Sequence, residues 1–203
     1  MSELTNPRGW QALVERARRG ERPAFDRLFA IVAERLALFV RLRTGPQLAA
    51  QVEVVDVLQE TYLQAMKSLA TFEFRGERAL LAWLCRIAEN RLRDLAQNHG
   101  AAKRGAAVER VEFEHVLELA RESATGPMTA AARSEARERL CGGLDSLKED
   151  EREVLLLRYF QERELEDIAG CVGLSVSAVR RLLARSVERL GRSLGGAIEG
   201  GRH

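Results

Sequence analysis

Residues 164–183 read ELEDIAGCVGLSVSAVRRLL, and this stretch decides the fold because its spacing is typical of two short helices joined by a tight turn. The pattern predicts a first helix over 165–172 and a second over 176–190. Ala169 is small where the second helix must cross closely, and Gly173 permits the turn. The segment therefore predicts a helix-turn-helix.

This motif would have an apolar side and a basic side. Its shared core is expected to contain Ile168, Val172, Leu174, Val179 and Leu183. A serine after the turn can cap the second helix, whose outer face suits a DNA major groove. The candidate DNA contacts are Ser175, Ser177, Arg180, Arg181 and Arg185. The alternative is a helical hairpin with a solvated basic face, but the order of small residue, turn, cap and arginines favours DNA binding.

The charge of the chain is unevenly distributed, although its net value is only +2. Residues 143–167 contain nine acidic and four basic side chains, whereas residues 175–192 contain five arginines and one glutamate. Clustered cations matter more for binding nucleic acid than the sum of charges does. The basic helix therefore supports the DNA-binding interpretation.

Helical periodicity also fills the first half of the chain. Apolar residues recur three and four apart over 23–43, 55–69 and 80–97, with breaks at Gly45-Pro46 and at 71–76. The third of these helices carries Arg86, Asn90, Arg93 and Gln97 at steps of four, three and four. They would form one polar and basic face, for which simple solvent exposure is the alternative. With no convincing strand pattern, we expect an all-α protein.

The chain is expected to form two helical domains, residues 1–98 and 134–203, joined by a linker over 99–133. The linker is rich in glycine and alanine, and its Glu114, Glu118 and Glu122 would share one face of a helix. That face is solvated by default. In the second domain, helices are expected from Ser134 and over 151–161, and the glycine-rich tail after Leu194 is expected to fray.

Several function classes are disfavoured by what the sequence lacks. Its three cysteines lie far apart, so neither a disulfide framework nor a zinc site is suggested. Its three histidines fall in the linker or the tail, and no hydrolase, metalloprotease or phosphate-loop motif occurs. We therefore expect no catalytic residue, metal or cofactor. Without a signal peptide or an apolar run of about 18 residues, we expect a cytoplasmic protein with no membrane insertion.

The C-terminal half resembles a known DNA-reading module. Residues 150–190, with REVLLLRYF at 152–160, Asp167-Ile168-Ala169 and Val179-Arg180, look like region 4 of the sigma-70 superfamily. The resemblance implies that this module reads the minus-35 promoter element. The sequence departs from the family at Leu182, where a basic residue is common, and at 162–164, where a Gly-Leu-Ser turn is usual.

The N-terminal half resembles region 2 of the same superfamily. DVLQETYLQA at 56–65 is similar to region 2.2, FRGE at 74–77 to the following loop, and WLCRIAENRLRD at 83–94 to regions 2.3 and 2.4. The resemblance implies that the loop and last helix hold the minus-10 element through Arg75, Arg86, Asn90 and Arg93. It implies that the polymerase β′ subunit binds the polar face of 2.2, with Asp56, Gln59 and Glu60 as candidates. Phe72, Phe74 and Trp83 are expected to belong to the core rather than to stack on bases.

Both modules occur in family order without the larger region found between them in bigger members, so the chain is identified as a member of the extracytoplasmic-function group. The resemblance implies a non-enzymatic subunit whose partners are the β′ and β subunits of core RNA polymerase, promoter DNA and an anti-sigma factor. The alternative is a stand-alone dimeric helix-turn-helix regulator. Binding to core polymerase and an asymmetric pair of promoter elements, rather than a palindrome, would distinguish the two.

Overall fold

Helices form nearly all of the regular structure in the part of the chain described by the computed structural model, residues 7–44, 48, 52–97 and 130–199. No strand occurs in these ranges, which confirms the all-α prediction. The contacts divide the chain into two units, residues 1–125 and 126–203. No described helix is both long and apolar enough to cross a membrane.

Four α-helices of the first unit have bounds within the described residues. They are α1 (Pro7–Arg18), α2 (Arg22–Arg43), α3 (Val54–Ser68), which continues as a 3-10 turn (Leu69–Thr71), and α4 (Glu77–Gln97). The last three confirm the predicted helices. Helix α1 was not predicted; it buries Leu13, Val14 and Ala17, a stripe too short to stand out as a period.

A buried hydrogen bond lies at the centre of this unit. The Tyr62 hydroxyl on α3 donates to the Asp26 carboxylate on α2 over 2.5 Å, and the rings of Phe25 and Phe29 pack around Tyr62 at centroid distances of 5.0 and 5.4 Å. Burial, with the hydrogen bond to Asp26 adding to it, raises the pKa of Tyr62 to about 12. The phenol therefore remains a donor to Asp26 throughout the neutral range.

The second unit also has four α-helices in the described residues. They are α5 (Ala130–Asp145), α6 (Glu149–Leu155), which widens into a π-helical turn (Leu156–Phe160), α7 (Leu165–Val172) and α8 (Val176–Glu199). Helix α5 approaches α8 closely at Gly143, where an added Cβ would lie 2.9 Å from Leu190 Cδ1. Ile168, Val179 and Leu183 are buried in the core, as predicted.

Three expectations for this unit need correction. Leu174 is 41% exposed and not in the core, because it lies in the turn after Gly173 rather than on a buried helix face. Val172 is only partly buried. Helix α8 continues past Leu194 to Glu199 instead of ending there, since glycine weakens a helix by only about 1 kcal/mol per residue.

The link between α6 and α7 contains a strained residue. After the π-helical turn, Glu162 has φ = 51° and is the one non-glycine residue with positive φ in the described ranges. This is the turn where the sequence has Glu162-Arg163-Glu164 in place of the usual Gly-Leu-Ser. The left-handed conformation brings a Cβ close to the backbone, which costs an L-residue about 1 kcal/mol or more.

Replacing Tyr62 by Phe removes the donor from Asp26, which is only 7% exposed. We expect the unfolding free energy of the first unit to fall by about 1–3 kcal/mol, the cost of leaving a buried polar group unsatisfied. Calorimetric unfolding of the whole chain measures this. Tyr159→Phe is the control, because Tyr159 is 61% exposed and should melt like the parent. Equal melting of both variants would contradict the expectation.

Replacing Glu162 by Gly should stabilise the second unit by about 0.5–1 kcal/mol, because the relief of left-handed strain exceeds the entropy that glycine adds to the unfolded chain. Glu162→Ala keeps the Cβ but removes the charge. Thermal unfolding should therefore show a gain for Glu162→Gly and none for Glu162→Ala. An equal gain in both variants would assign the effect to charge instead of backbone.

Candidate nucleic-acid and polymerase interfaces

The helix-turn-helix prediction is confirmed in its geometry. Gly173 ends α7 in the left-handed conformation with φ = 68°, and Leu174 N–H donates to Ala169 O at 3.1 Å. Ser175 then caps α8, since its Oγ accepts the N–H of Ala178 at 3.3 Å. Ser175 and Ser177 place their hydroxyl oxygens 3.1 Å apart. The start of α8 is thus fixed by the turn and its cap.

The first half of α8 has distinct buried and exposed sides. Val179, Leu182 and Leu183 are buried. All five residues predicted to contact DNA are exposed: Ser175, Ser177, Arg180, Arg181 and Arg185. Since the position of Leu182 faces the core, its apolar side chain does not interrupt the basic face.

The arginines of α8 fall into two groups. Arg189 donates to both carboxylate oxygens of Glu151 at 2.9 and 3.2 Å, and Arg192 pairs with Glu188 at 3.4 Å. A backbone hydrogen bond from Lys148, reinforced by Arg189, holds the pKa of the Glu151 carboxyl below its usual range. Arg180, Arg181 and Arg185 have no ion-pair partner among the described residues. These three are the arginines whose charge is available to a polyanion.

Helix α4 presents the other predicted face. Arg86, Asn90 and Arg93 are exposed on it, as is Gln97. Arg93 pairs with Glu89 at 3.0 Å, and the same carboxylate, 13% exposed, lies 3.2 Å from Arg43. Glu89 therefore joins the side chain of Arg93 to helix α2.

The loop before α4, residues 72–76, carries the fourth minus-10 candidate. Arg75 is exposed and pairs with the equally exposed Glu73 at 2.8 Å. Gly76 has φ = 115°, a value that side chains rarely allow, and its carbonyl accepts the N–H of Leu80 at 3.1 Å. The backbone of the loop is thereby tied to the first turn of α4.

A row of four aromatic rings joins this loop to the helices beside it. Phe72 stacks on Trp83 at 4.4 Å, Phe74 stacks on Trp10 at 5.6 Å, and Phe72 and Phe74 meet edge to face at 6.4 Å. Phe72 is buried, as expected of a core residue, whereas Phe74, Trp83 and Trp10 are each partly exposed. Trp10 was not predicted to take part, because its partner lies 64 positions away and no spacing relates the two.

The predicted polymerase face of α3 is only partly exposed. Asp56 in the first turn and Glu60 are half-buried, but Gln59 is 4% exposed, so the prediction that it lies outside is wrong. Helix α3 packs against both α2 and α4, and its buried arc is wide enough to include Gln59. Glu60 accepts a hydrogen bond from Arg91 Nη2 at 2.8 Å. The side chain of Arg91 is therefore held by a partner within the unit.

The remaining candidates concern the linker, metals and cysteines. Glu114, Glu118 and Glu122 lie outside the described residues. Within the described ranges, no cluster of three or more His, Cys, Asp or Glu side chains could hold a metal ion. Cys85 and Cys141 are buried, Cys171 is exposed, and all three are free thiols.

Comparison with known proteins gives matches to both halves of the chain. A family model described as Sigma-70 region 2 matches residues 34–101, and one described as Sigma-70, region 4 matches residues 143–191. The RNA polymerase sigma-H factor of Pseudomonas aeruginosa is 33% identical over 194 residues, covering 91% of this chain and 93% of the relative. The ECF RNA polymerase sigma-E factor of Escherichia coli strain K12 is 28% identical over 181 residues, with coverage of 89% and 91%.

A solved structure, described as CnrH in complex with the cytosolic domain of CnrY, is 28% identical. It covers 91% of this chain and 96% of that chain with a TM-score of 0.46.

The region 2 match contains the exposed face of α4, and the region 4 match contains the helix-turn-helix. Sigma factors are DNA-binding initiation factors rather than classical enzymes. Two domain matches in order, together with a relative that is one-third identical over nearly its whole length, determine the family. The chain belongs to the extracytoplasmic-function group of the sigma-70 superfamily, whose members bind RNA polymerase and promoter DNA and direct promoter-specific initiation of transcription.

Proposed function

We propose that the second unit reads the minus-35 element through Arg180, Arg181 and Arg185, helped by Ser175 and Ser177. The observation that carries this assignment is the division of the arginines on α8, because only these three are exposed and lack an acidic partner among the described residues. Arginine bonds guanine edges in the major groove and neutralises phosphates. Ser175 acts mainly as the helix cap that sets the angle of entry.

The minus-10 element is proposed to lie along the first unit. Asn90 can donate to and accept from a base edge, while Arg86, Arg93 and Arg75 can neutralise phosphates of the same strand. Exposure of all four residues supports this assignment. A surface that holds a separated strand better than the duplex shifts the equilibrium toward the open promoter, because only differential affinity can do so.

The polymerase is proposed to dock on the polar side of α3 at Asp56 and Glu60. Both carboxylates are half-exposed and lie one helical turn apart, and a basic partner that reached both would share Glu60 with Arg91. Gln59 is buried, so it is proposed to pack beneath this surface and not to contact the polymerase. Complementary charge of this kind sets orientation and association rate more than affinity.

The wider assignment follows from the family. We propose residues 1–98 as the region 2 domain, 99–133 as a linker and 134–203 as the region 4 domain, acting in the cytoplasm with the polymerase. The chain is proposed to have no catalytic residue of its own, because the polymerase performs the RNA synthesis. An anti-sigma factor remains a proposed partner. A stand-alone dimeric regulator is not favoured, because the matches include region 2 as well as the helix-turn-helix.

Run-off transcription with purified core polymerase, this protein and a library of genomic promoter fragments tests the function. We expect transcripts that depend on the protein, from promoters sharing two separated elements. Replacing Arg180 and Arg181 together by Ala should weaken binding of the holoenzyme to minus-35 duplex at least tenfold, since one good base contact is worth about 1–3 kcal/mol.

Arg192→Ala is the matched control for this pair, because Arg192 lies on the same helix but is paired with Glu188. It should leave the minus-35 affinity close to that of the parent. Unchanged affinity in the Arg180→Ala, Arg181→Ala variant would contradict the assignment of the recognition face. A protein that footprints a palindrome without polymerase would instead support the dimeric regulator.

Replacing Asp56 by Asn should slow association with core polymerase several-fold at low salt, and the difference should shrink as salt is raised, because screening weakens charge steering. Stopped-flow fluorescence with labelled core gives the rate constant. Glu15→Gln removes an exposed carboxylate on α1 and serves as the control. If both variants associate at the parent rate, Asp56 is not part of the polymerase surface.

A further inference from the structure

The loop over residues 72–76 is contacted by helix α1, to which no role has been assigned so far. Helix α1 contacts this loop at two separate points, one near each end of the helix. We infer that α1 positions the loop for the minus-10 strand, with Trp10 and Arg18 as positioning residues that do not themselves touch DNA. This inference rests on the proposed role of Arg75 and α4.

The first contact is an aromatic stack. The rings of Trp10 and Phe74 lie 5.6 Å apart with an angle of 22° between their planes. Phe74 immediately precedes Arg75. The stack on Trp10 therefore helps to fix the position of the backbone from which the Arg75 side chain extends. Stacked rings at this distance contribute beyond the area they bury, and they restrict the rotation of both side chains.

The second contact is a charge-assisted hydrogen bond. The Arg18 guanidinium, in the last turn of α1, donates to the carbonyl oxygen of Phe72. The N–H of Phe72 is already bonded to Leu69 O at 3.2 Å. The backbone N–H and the carbonyl of Phe72 therefore both have hydrogen-bond partners, and the backbone is fixed where the loop begins.

The residues on both sides of Arg75 are anchored by contacts outside the loop. Phe72 is fixed by Arg18 and by stacking on Trp83 of α4, Phe74 is fixed by Trp10, and Gly76 is tied to α4 through Leu80. Among the described residues, the side chain of Arg75 has only an exposed ion pair with Glu73, which is too weak to orient it. Its placement consequently depends on the anchored residues on either side.

Anchoring of this kind acts on affinity by conformational selection. If the loop visits several conformations and only one accepts the strand, the measured Kd rises by the inverse of the fraction that is competent. Losing either contact should therefore weaken recognition of the separated strand and reduce discrimination at the bases nearest the loop. It should not change recognition of the minus-35 duplex, which belongs to the other unit.

The test is a selection from single-stranded DNA with ten random positions, using holoenzyme assembled from core polymerase and the full chain. Parent holoenzyme should enrich one sequence. Trp10→Ala and Arg18→Met should each raise the Kd for that selected strand about threefold to tenfold and lose preference at one or two positions. Trp10→Phe, which can still stack, and Arg18→Lys, which can still donate, should recover most of the preference.

Arg16→Ala is the matched control, because Arg16 is on the same helix but pairs with Glu21 at 2.7 Å instead of the loop. It should select the parent sequence with the parent Kd. Binding to minus-35 duplex detects any general loss of folded protein, and it should be equal in all variants.

Parent-like selection by both Trp10→Ala and Arg18→Met would overturn the inference while leaving the proposed function intact. Equal losses for minus-35 and selected strands, or no recovery in the conservative variants, would assign α1 a purely structural role and also overturn it. If the parent holoenzyme enriches no sequence at all, the proposed minus-10 surface fails, and the inference fails with it.

Discussion

The rotation of α4 and of α8 about their own axes is the constraint on which the rest of the structure depends. On α8, burial of Val179 and Leu183 turns the arginines at neighbouring positions outward, and on α4 burial of Leu84 and Ala88 does the same for Arg86 and Asn90. A helix advances by about 100° per residue, so rotation by one position would bury charge and expose aliphatic carbon. Burial of unpaired charge costs several kcal/mol, which makes the chosen rotation strongly preferred.

Ion pairs then decide which cations remain available. Glu151 on α6 accepts hydrogen bonds from Arg189 on α8 and from the backbone N–H of Lys148 at the start of α6, so one carboxylate connects two helices. On the first unit, Glu60 takes Arg91 in a similar way. Fewer arginines are consequently available to bind DNA than the sequence contains on these helices. Counterion release, and hence the salt dependence of DNA binding, should follow the unpaired group rather than the whole helix.

The sequence predicted the helices with strong periodicity, the turn at Gly173 and the cap at Ser175, because each rests on local geometry within a few residues. It failed where packing between distant segments decides. Gln59 is polar in sequence, yet the width of the buried arc of α3 places it inside. The stack of Trp10 on Phe74, like the pairing of Arg189 with Glu151, joins residues with no periodic relation. The roles of the exposed residues toward DNA and polymerase were predicted from resemblance and stay predictions.

The two proposed DNA-binding surfaces differ in how they are made rigid, and the difference suits the duplex proposed for one and the separated strand proposed for the other. The arginines of α8 sit on a capped helix whose backbone hydrogen bonds fix their spacing, as a regular duplex groove requires. Arg75 sits on a loop without internal regular structure, so rigidity has to come from contacts with side chains outside the loop, namely Trp10, Arg18 and Trp83. A separated strand has no regular groove, and its bases must be met one at a time. A loop whose shape is set by tertiary contacts can be shaped for that strand without also fitting the duplex, which would supply the differential affinity that the proposed strand separation needs.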